Sequence, residues 1–127
     1  MRHLNINKSP SNRYTAEEKK YLDEISKIPE ITFEEELRLL QKSNHGHNDS
    51  LNKLLKAKLP LIVDIAKEFK NRTDLLTFFD LVKAGKDEFI RIAKSMSAEA
   101  YTSLVVWCIK QAMHRAIDEI EKKKNNQ

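Results

Sequence analysis

The chain is poor in the residues that build tight turns and covalent cross-links. Its 127 residues include two glycines, three prolines and one cysteine. So few glycines and prolines leave little material for the turns of a β-sandwich or a β-barrel. The single cysteine, Cys108, excludes a disulfide framework and a cysteine-ligated zinc site, and it favours a reducing cytoplasm.

Long apolar runs are also missing. Residues 1–12 are polar and contain no apolar segment of signal-peptide length. No uninterrupted apolar run elsewhere approaches the length that spans a bilayer. The sequence therefore predicts a cytoplasmic protein with no membrane partner.

What the chain has in quantity is charge. Charged residues make up 33% of the sequence and hydrophobic residues 40%, which is typical of a soluble helical domain with a single core. The formal net charge is +4 and the sequence pI is about 9.1. This excess permits nucleic-acid binding without requiring it, and a protein that merely happens to be basic fits equally well.

Helix-start signals recur along the chain. Thr15 with Glu18, and Thr32 with Glu35, have the spacing of capping boxes and predict two helices near the N-terminus. Strand patterns and internal repeats are missing, so the predicted fold class is all-α, a compact helical bundle. The predicted organisation is a flexible leader at 1–13, a helical domain at 14–121 and a basic tail at 122–127.

Three features are expected to interrupt the middle of the chain. Pro60 lies inside a third predicted helix and predicts a kink or a break there. Thr73 or Asp74 is the predicted cap of the next segment. Gly85 predicts a junction between a short apolar segment and a separate helix.

The last predicted helix, which Ser97 caps, carries two different sides. Apolar residues recur three and four apart on the side expected to face the core: Val105, Ile109, Ala112, Met113, Ala116 and Ile117. The other side carries Trp107 in line with Lys110, Gln111 and His114. Such a side can stack on a base, hold a phosphate and read adenine through the glutamine. The alternative is a tryptophan partly buried by a neighbouring helix, with charges that only solvate the surface.

The sequence contains no pattern of catalytic or metal-binding residues, so no enzyme, cofactor or metal site is predicted. His45 and His47 lie in a predicted loop without a cysteine or carboxylate at ligand spacing. The carboxylates at 34–36 open a helix, where they suit its dipole. Cys108 lies at the margin of the apolar side and is interpreted as a packing residue rather than a nucleophile.

Several segments resemble bacterial primary sigma factors, in the same order as in that family. Residues 107–117 resemble the W-W-I-R-Q-A/S-I-x-x-A/S-I/L helix that recognises the promoter −10 element. Residues 59–69 resemble L-R-x-V-V-S-I/V-A-K-x-Y, and residues 79–85 resemble L-D-L-I-x-E-G. Residues 21–25 and 31–36 resemble Y-L-x-E-I followed by L-T-x-E-E-E. A collinear likeness of this extent is more specific than any one motif.

This resemblance implies an all-helical sigma region 2, preceded by the short helical region 1.2, and no cofactor. It also implies two binding surfaces. The segment that docks on the β′-subunit coiled coil of core RNA polymerase includes Phe79, Asp80, Lys83, Lys86 and Ile90. The segment that binds promoter-like DNA at the −10 element includes Tyr101, Trp107, Lys110, Gln111, His114 and Arg115.

The chain departs from the family at the DNA-binding segment. Leu104 stands where the family has an aromatic residue that helps to capture a flipped adenine, and Cys108 replaces the second tryptophan. The stretch between residues 96 and 101 is short and lacks the aromatics and cations of the family. Because stacking contributes about 1–3 kcal/mol per base, these losses predict a greatly reduced ability to melt DNA.

Charges also differ at the docking segment. Ala84 replaces the family glutamate, Lys86 replaces the following asparagine, and Lys83 replaces a glutamine seen in many members. A contact built on the original charges should be weakened by about 1–3 kcal/mol for each close pair.

Three functions stay open at this point. The first is a stand-alone region 2 module without the −35-binding domains, which contacts RNA polymerase, promoter-like DNA or both and modulates initiation. The second is a decoy or adaptor that binds an anti-sigma factor or another helical partner and no DNA. The third is a degenerate fragment with no selected role.

Overall fold

Helices account for all the regular secondary structure in the part of the chain that the structure describes. A computed structural model describes residues 14–126, and within them five helices follow one another with no strand: α1 (Ala16–Ser26), α2 (Phe33–Asn44), α3 (Asn48–Lys70), α4 (Phe78–Ser95) and α5 (Ala98–Asn125). The predicted all-α class is confirmed. The leader predicted at 1–13 lies outside the described residues.

Side-chain caps start the first two helices where the sequence predicts them. The Thr15 hydroxyl accepts from the Glu18 backbone N–H at 3.1 Å, and the Glu18 carboxylate accepts from the Thr15 N–H at 2.9 Å. This completes the predicted capping box. Thr32 likewise accepts from the Glu35 N–H at 3.1 Å. The Glu35 carboxylate, however, accepts two hydrogen bonds from Arg38, so α2 has only half of its predicted box.

α3 is one continuous helix that contains Pro60. It begins after His47, whose Nδ1 accepts from the Ser50 backbone N–H at 3.2 Å. Proline tends to break a helix because it lacks a backbone N–H and crowds the preceding turn. Here Leu54 and Ile62, on either side of the proline, are both fully buried, and their packing stabilises both halves. The predicted break is therefore wrong, and the alternative, a kink, stays a prediction.

The expected junction at Gly85 is also wrong, because this glycine lies inside α4. The helix begins after Thr77, whose hydroxyl accepts from the Asp80 backbone N–H at 3.1 Å. The Asp80 carboxylate in turn accepts from the Thr77 N–H at 3.0 Å, which completes a capping box. The predicted caps, Thr73 and Asp74, lie in the connection before it, where Thr73 instead closes a short turn. Two segments expected to be separate therefore form one rigid element.

Gly85 allows α4 to pack closely against both of its neighbours. A Cβ atom at this position would lie 2.8 Å from Ile62 Cγ2 of α3 and 2.8 Å from Met113 Cε of α5. Both distances are shorter than van der Waals contact, so a side chain is excluded unless its neighbours move. The close approach sets where α4 lies relative to α5, and both helices carry predicted binding residues.

The core lies between α3, α4 and α5, and α2 closes one side of it. The largest fully buried side chains come from these four helices: Leu40, Leu54, Ile62, Phe78, Leu81, Phe89, Ile92, Tyr101, Ile109 and Met113. From α1, the Tyr21 ring packs edge-on against Phe79 with the ring centroids 5.4 Å apart. α1 therefore lies beside the N-terminal end of α4.

α5 continues past its predicted end. It runs through Lys122, Lys123 and Lys124 to Asn125, so most of the predicted basic tail is helical. Positive side chains in the last turn interact favourably with the helix dipole. The last buried residue of α5 is Ile117, and the turns that follow are largely exposed.

Candidate nucleic-acid interface and docking stripe

The outward side of α5 presents an exposed tryptophan among polar residues. Trp107 has 59% of its surface exposed, and Leu104 has 41%. Lys110, Gln111 and His114 follow Trp107 by three, four and seven residues, so they lie on the same side of the helix. We call these five residues the α5 outer face. Trp107 is therefore not covered by a neighbouring helix, whereas the alternative that the charges only solvate the surface stays open.

The C-terminal end of α3 lies beside the α5 outer face. Lys110 Nζ is 4.0 Å from a carboxylate oxygen of Glu68. The His114 ring packs edge-on against Phe69 with the centroids 5.8 Å apart, and the Arg72 guanidinium lies 5.1 Å from the centroid of the same ring. Lys110 therefore already has an anion nearby.

Arg115 faces α4 and lies away from Trp107. Its guanidinium is 3.7 Å from the carboxylate of Glu88, a residue that is only 9% exposed. Arg91 donates two hydrogen bonds to the same carboxylate, at 2.6 and 3.1 Å, and these bonds raise the pKa of the Arg91 guanidinium. The two arginines neutralise a buried charge, so in this conformation Arg115 stabilises the packing of α4 on α5.

Tyr101 is enclosed by the bundle. It is 1% exposed, and its hydroxyl donates a hydrogen bond to the Glu36 carboxylate of α2. Lys58 Nζ of α3 lies 3.2 Å from the same carboxylate. Burial, together with the hydrogen bond to Glu36, raises the pKa of the Tyr101 hydroxyl. The ring has no free face for stacking in this conformation, so this placement does not serve the predicted contact of Tyr101 with DNA.

Four of the five predicted docking residues lie in one line along the outward side of α4. Phe79, Lys83, Lys86 and Ile90 are spaced four, three and four residues apart, and we call them the α4 stripe. Phe79 and Lys83 are exposed, whereas Lys86 and Ile90 are half-buried. The fifth, Asp80, lies to one side of the line, and its carboxylate belongs to the capping box that starts the helix.

Two curated proteins are similar to this chain over most of its length, although no protein-family model matches it. RNA polymerase sigma factor SigA of Clostridium acetobutylicum is 35% identical over 100 residues, which cover 76% of this chain and 26% of that protein. RNA polymerase sigma factor SigA of a Bacillus species is 30% identical over 100 residues, again 76% of this chain and 26% of that protein. Over this segment, the chain belongs to the sigma factor family. It spans about a quarter of the length of the curated relatives that it matches.

In this sigma factor segment, the two predicted surfaces lie on neighbouring helices. The α5 outer face brings together four of the six residues predicted to bind DNA, and the α4 stripe holds the docking residues other than Asp80. Tyr101 and Arg115 are the two that lie apart, since one is enclosed and the other faces α4. The binding roles of all these residues stay predictions.

The sequence does not predict the contacts of three carboxylates in the sigma factor segment. Glu36, Glu68 and Glu88 come from α2, α3 and α4, and each meets a residue of α5 that is predicted to bind DNA. Their partners lie far along the chain, so no local spacing signals these pairs. The one sequence trace is the position of Glu88 three residues before Arg91, a spacing at which helical side chains pair.

His45, His47 and Cys108 take up ordinary structural roles. His47 is the N-cap of α3, and His45 Nδ1 lies 2.8 Å from the Gln41 carbonyl oxygen. Cys108 is a buried free thiol. Among residues 14–126, no group of three or more His, Cys, Asp or Glu side chains could hold a metal ion. None of the helices in that range is long and apolar enough to cross a membrane.

Proposed function

We propose that this sigma factor segment binds core RNA polymerase through the α4 stripe and promoter-like DNA through the α5 outer face, and thereby modulates transcription initiation. The observation that carries the proposal is the exposed Trp107, which shares one side of one helix with Lys110, Gln111 and His114. An aromatic ring beside a cation and hydrogen-bonding groups can stack on an unpaired base and hold the backbone.

The α5 outer face divides into residues that position DNA and residues that read it. Lys110 supplies positive charge for a phosphate, and Gln111 can offer a donor–acceptor pair to an adenine. Leu104 can pack against a base but has no stacking ring. With one aromatic ring, the face gains about 1–3 kcal/mol from one stacked base. This supports recognition of an already unpaired strand better than active strand opening.

Two binding measurements test the proposal. The full chain should retain core RNA polymerase in a pull-down, and it should raise the fluorescence anisotropy of a labelled single strand that carries a −10 element. We expect dissociation constants of tens of micromolar or tighter, which correspond to roughly −6 kcal/mol or better. If neither partner binds in this concentration range, the proposal is wrong.

Two single variants separate positioning from reading. Lys110→Ala should weaken binding to every sequence and lower the salt slope by about 0.7 on single strands or about 0.9 on duplex. Gln111→Ala should instead change the base preference. Lys94→Ala, an exposed lysine of α4, is the matched control and should do neither. Equal losses from the first two variants on all sequences would contradict the reading role of Gln111.

A protein-interaction role without DNA binding is the second candidate, as a decoy or adaptor for an anti-sigma factor or another helical partner. It is supported by the internal contacts of Tyr101 and Arg115, which remove one ring and one cation from the DNA surface. A complex with a helical protein that resists salt, together with no DNA binding, would favour this candidate.

A further inference from the structure

The α4 stripe has two apolar ends and a basic middle. Phe79 and Ile90 lie about 16 Å apart along the helix axis, at 1.5 Å per residue. Lys83 and Lys86 lie between them, and no acidic residue belongs to the line. Lys94, one turn beyond Ile90, continues the same basic side. A straight line of this length matches the ridge of a second helix laid along α4.

The two lysines of the stripe are open to an external anion. Lys83 Nζ is 2.8 Å from the Asp87 carboxylate, but the two side chains are 76% and 62% exposed, so solvent screens the pair. A partner can replace such a contact at little cost. Lys86 is half-buried and forms no ion pair with any residue of the described segment. A cation that is partly removed from water and unpaired gains most from an opposing carboxylate.

The groups that border the stripe do not supply this carboxylate. Tyr21 of α1 packs edge-on against Phe79 and supplies no charge, and Phe79 stays 38% exposed. Asp80 is held by the backbone N–H of Thr77 at 3.0 Å. Among residues 14–126, Lys86 therefore has no internal counter-ion.

We infer that the α4 stripe docks a helical segment with apolar side chains opposite Phe79 and Ile90 and carboxylates opposite Lys83 and Lys86. The inference deepens the docking role proposed above, and it rests on that role in taking α4 as the docking helix. The negative charge of the partner follows from charge complementarity, because a basic partner would place like charges against the lysines and weaken the complex.

Two designed antiparallel coiled-coil hairpins test this partner chemistry on the full chain. Both carry leucines spaced to reach Phe79 and Ile90, and they differ only in carrying glutamates or lysines at the two positions between. The acidic hairpin should bind about tenfold more tightly than the basic hairpin at low salt, as measured by fluorescence anisotropy. K83E/K86E should invert this preference. K83Q/K86Q should erase it, and this variant covers the case in which the reversal perturbs folding.

A matched control comes from α3. Lys53 and Lys56 are exposed and have the same spacing, so K53E/K56E makes the same charge change elsewhere and should leave the preference unchanged. Equal binding of both hairpins, or an unchanged preference in K83E/K86E, overturns the inference.

Core RNA polymerase as a third probe distinguishes this inference from the proposed function. Binding to polymerase but to neither hairpin overturns the acidic-partner inference and leaves the polymerase role intact. Binding to the acidic hairpin but not to polymerase supports the inference and contradicts the polymerase role. Binding to none of the three probes overturns both.

Discussion

Replacing Tyr101 with phenylalanine should destabilise the bundle without weakening DNA binding. The change removes the hydroxyl that donates to the Glu36 carboxylate, and it keeps the ring, which packs edge-on against Phe89 with the centroids 6.2 Å apart. A hydrogen bond to a charged group contributes about 1.5–3 kcal/mol. Because Glu36 keeps Lys58 at 3.2 Å, we expect a loss near the lower end, about 1.5–2 kcal/mol.

Urea unfolding followed by far-UV circular dichroism measures this loss, and the m-value should not change. For a domain of this length, the loss corresponds to a fall in Tm of about 6–8 °C. Tyr21→Phe is the matched control, since the half-buried Tyr21 hydroxyl has no hydrogen-bond partner within residues 14–126. The control should change the free energy of unfolding by less than about 0.5 kcal/mol.

Two results would refute this reasoning about Tyr101. Equal small losses in Tyr101→Phe and Tyr21→Phe would show that the bond to Glu36 contributes nothing. Unchanged stability with a large loss of affinity for single-stranded DNA would assign Tyr101 to the DNA site that the family resemblance implies. The enclosed position of its ring would then not be the one that binds DNA.

Three further predictions follow from the same structure. Gly85→Ala should lower the free energy of unfolding, measured in urea, by up to about 2 kcal/mol. Overpacking costs about 1–3 kcal/mol, and the higher helix propensity of alanine offsets about 1 kcal/mol of that cost. A more stable variant would contradict the close approach of the helices at Gly85. Glu68→Gln should free Lys110 and raise DNA affinity at low salt, with a steeper salt slope, and an unchanged slope would show that Lys110 does not meet phosphate. Folding raises the pKa of the Tyr101 hydroxyl, so the stability that its protonated form contributes is complete below the unfolded pKa of about 10 and is lost as the pH rises above that value. Wild type should therefore lose more free energy of unfolding than Tyr101→Phe between about pH 9 and 11. Equal losses in the two proteins would argue against a raised pKa.

Local signals account for the parts of the fold that the sequence predicts correctly. Thr15 and Thr32 precede periodic apolar segments, and each bonds a backbone N–H three residues on, so nothing distant is needed to place these helix starts. The expected break at Pro60 and the expected junction at Gly85 are wrong because their outcome depends on neighbouring helices. Packing on both sides keeps α3 whole at the proline, and the approach of two other helices requires the glycine.

The same distinction applies to the candidate site. The α5 outer face could be predicted because its five residues lie on one helix, where spacing alone decides which side they share. The enclosure of Tyr101 could not, because it depends on Glu36, a residue 65 positions away along the chain. Family resemblance adds the expected role of a position, but it carries no information about a carboxylate that meets that position from another helix.

The contacts of Lys110 and Arg115 show which cation stays available to DNA. Lys110 and Glu68 are 4.0 Å apart and are 45% and 66% exposed, a pairing worth about 0–1 kcal/mol, so a phosphate can displace this carboxylate. Arg115 instead meets Glu88, whose side chain is 9% exposed, and withdrawing the arginine would leave a buried charge less well neutralised. Among residues 14–126, no aromatic ring or cation packs on Trp107, so a stacked base meets no competitor there, and stacking itself neutralises no phosphate. Affinity for DNA should therefore depend on one ring and one cation. We expect this surface to prefer unpaired bases to duplex DNA, and its affinity to fall only slightly as salt is raised.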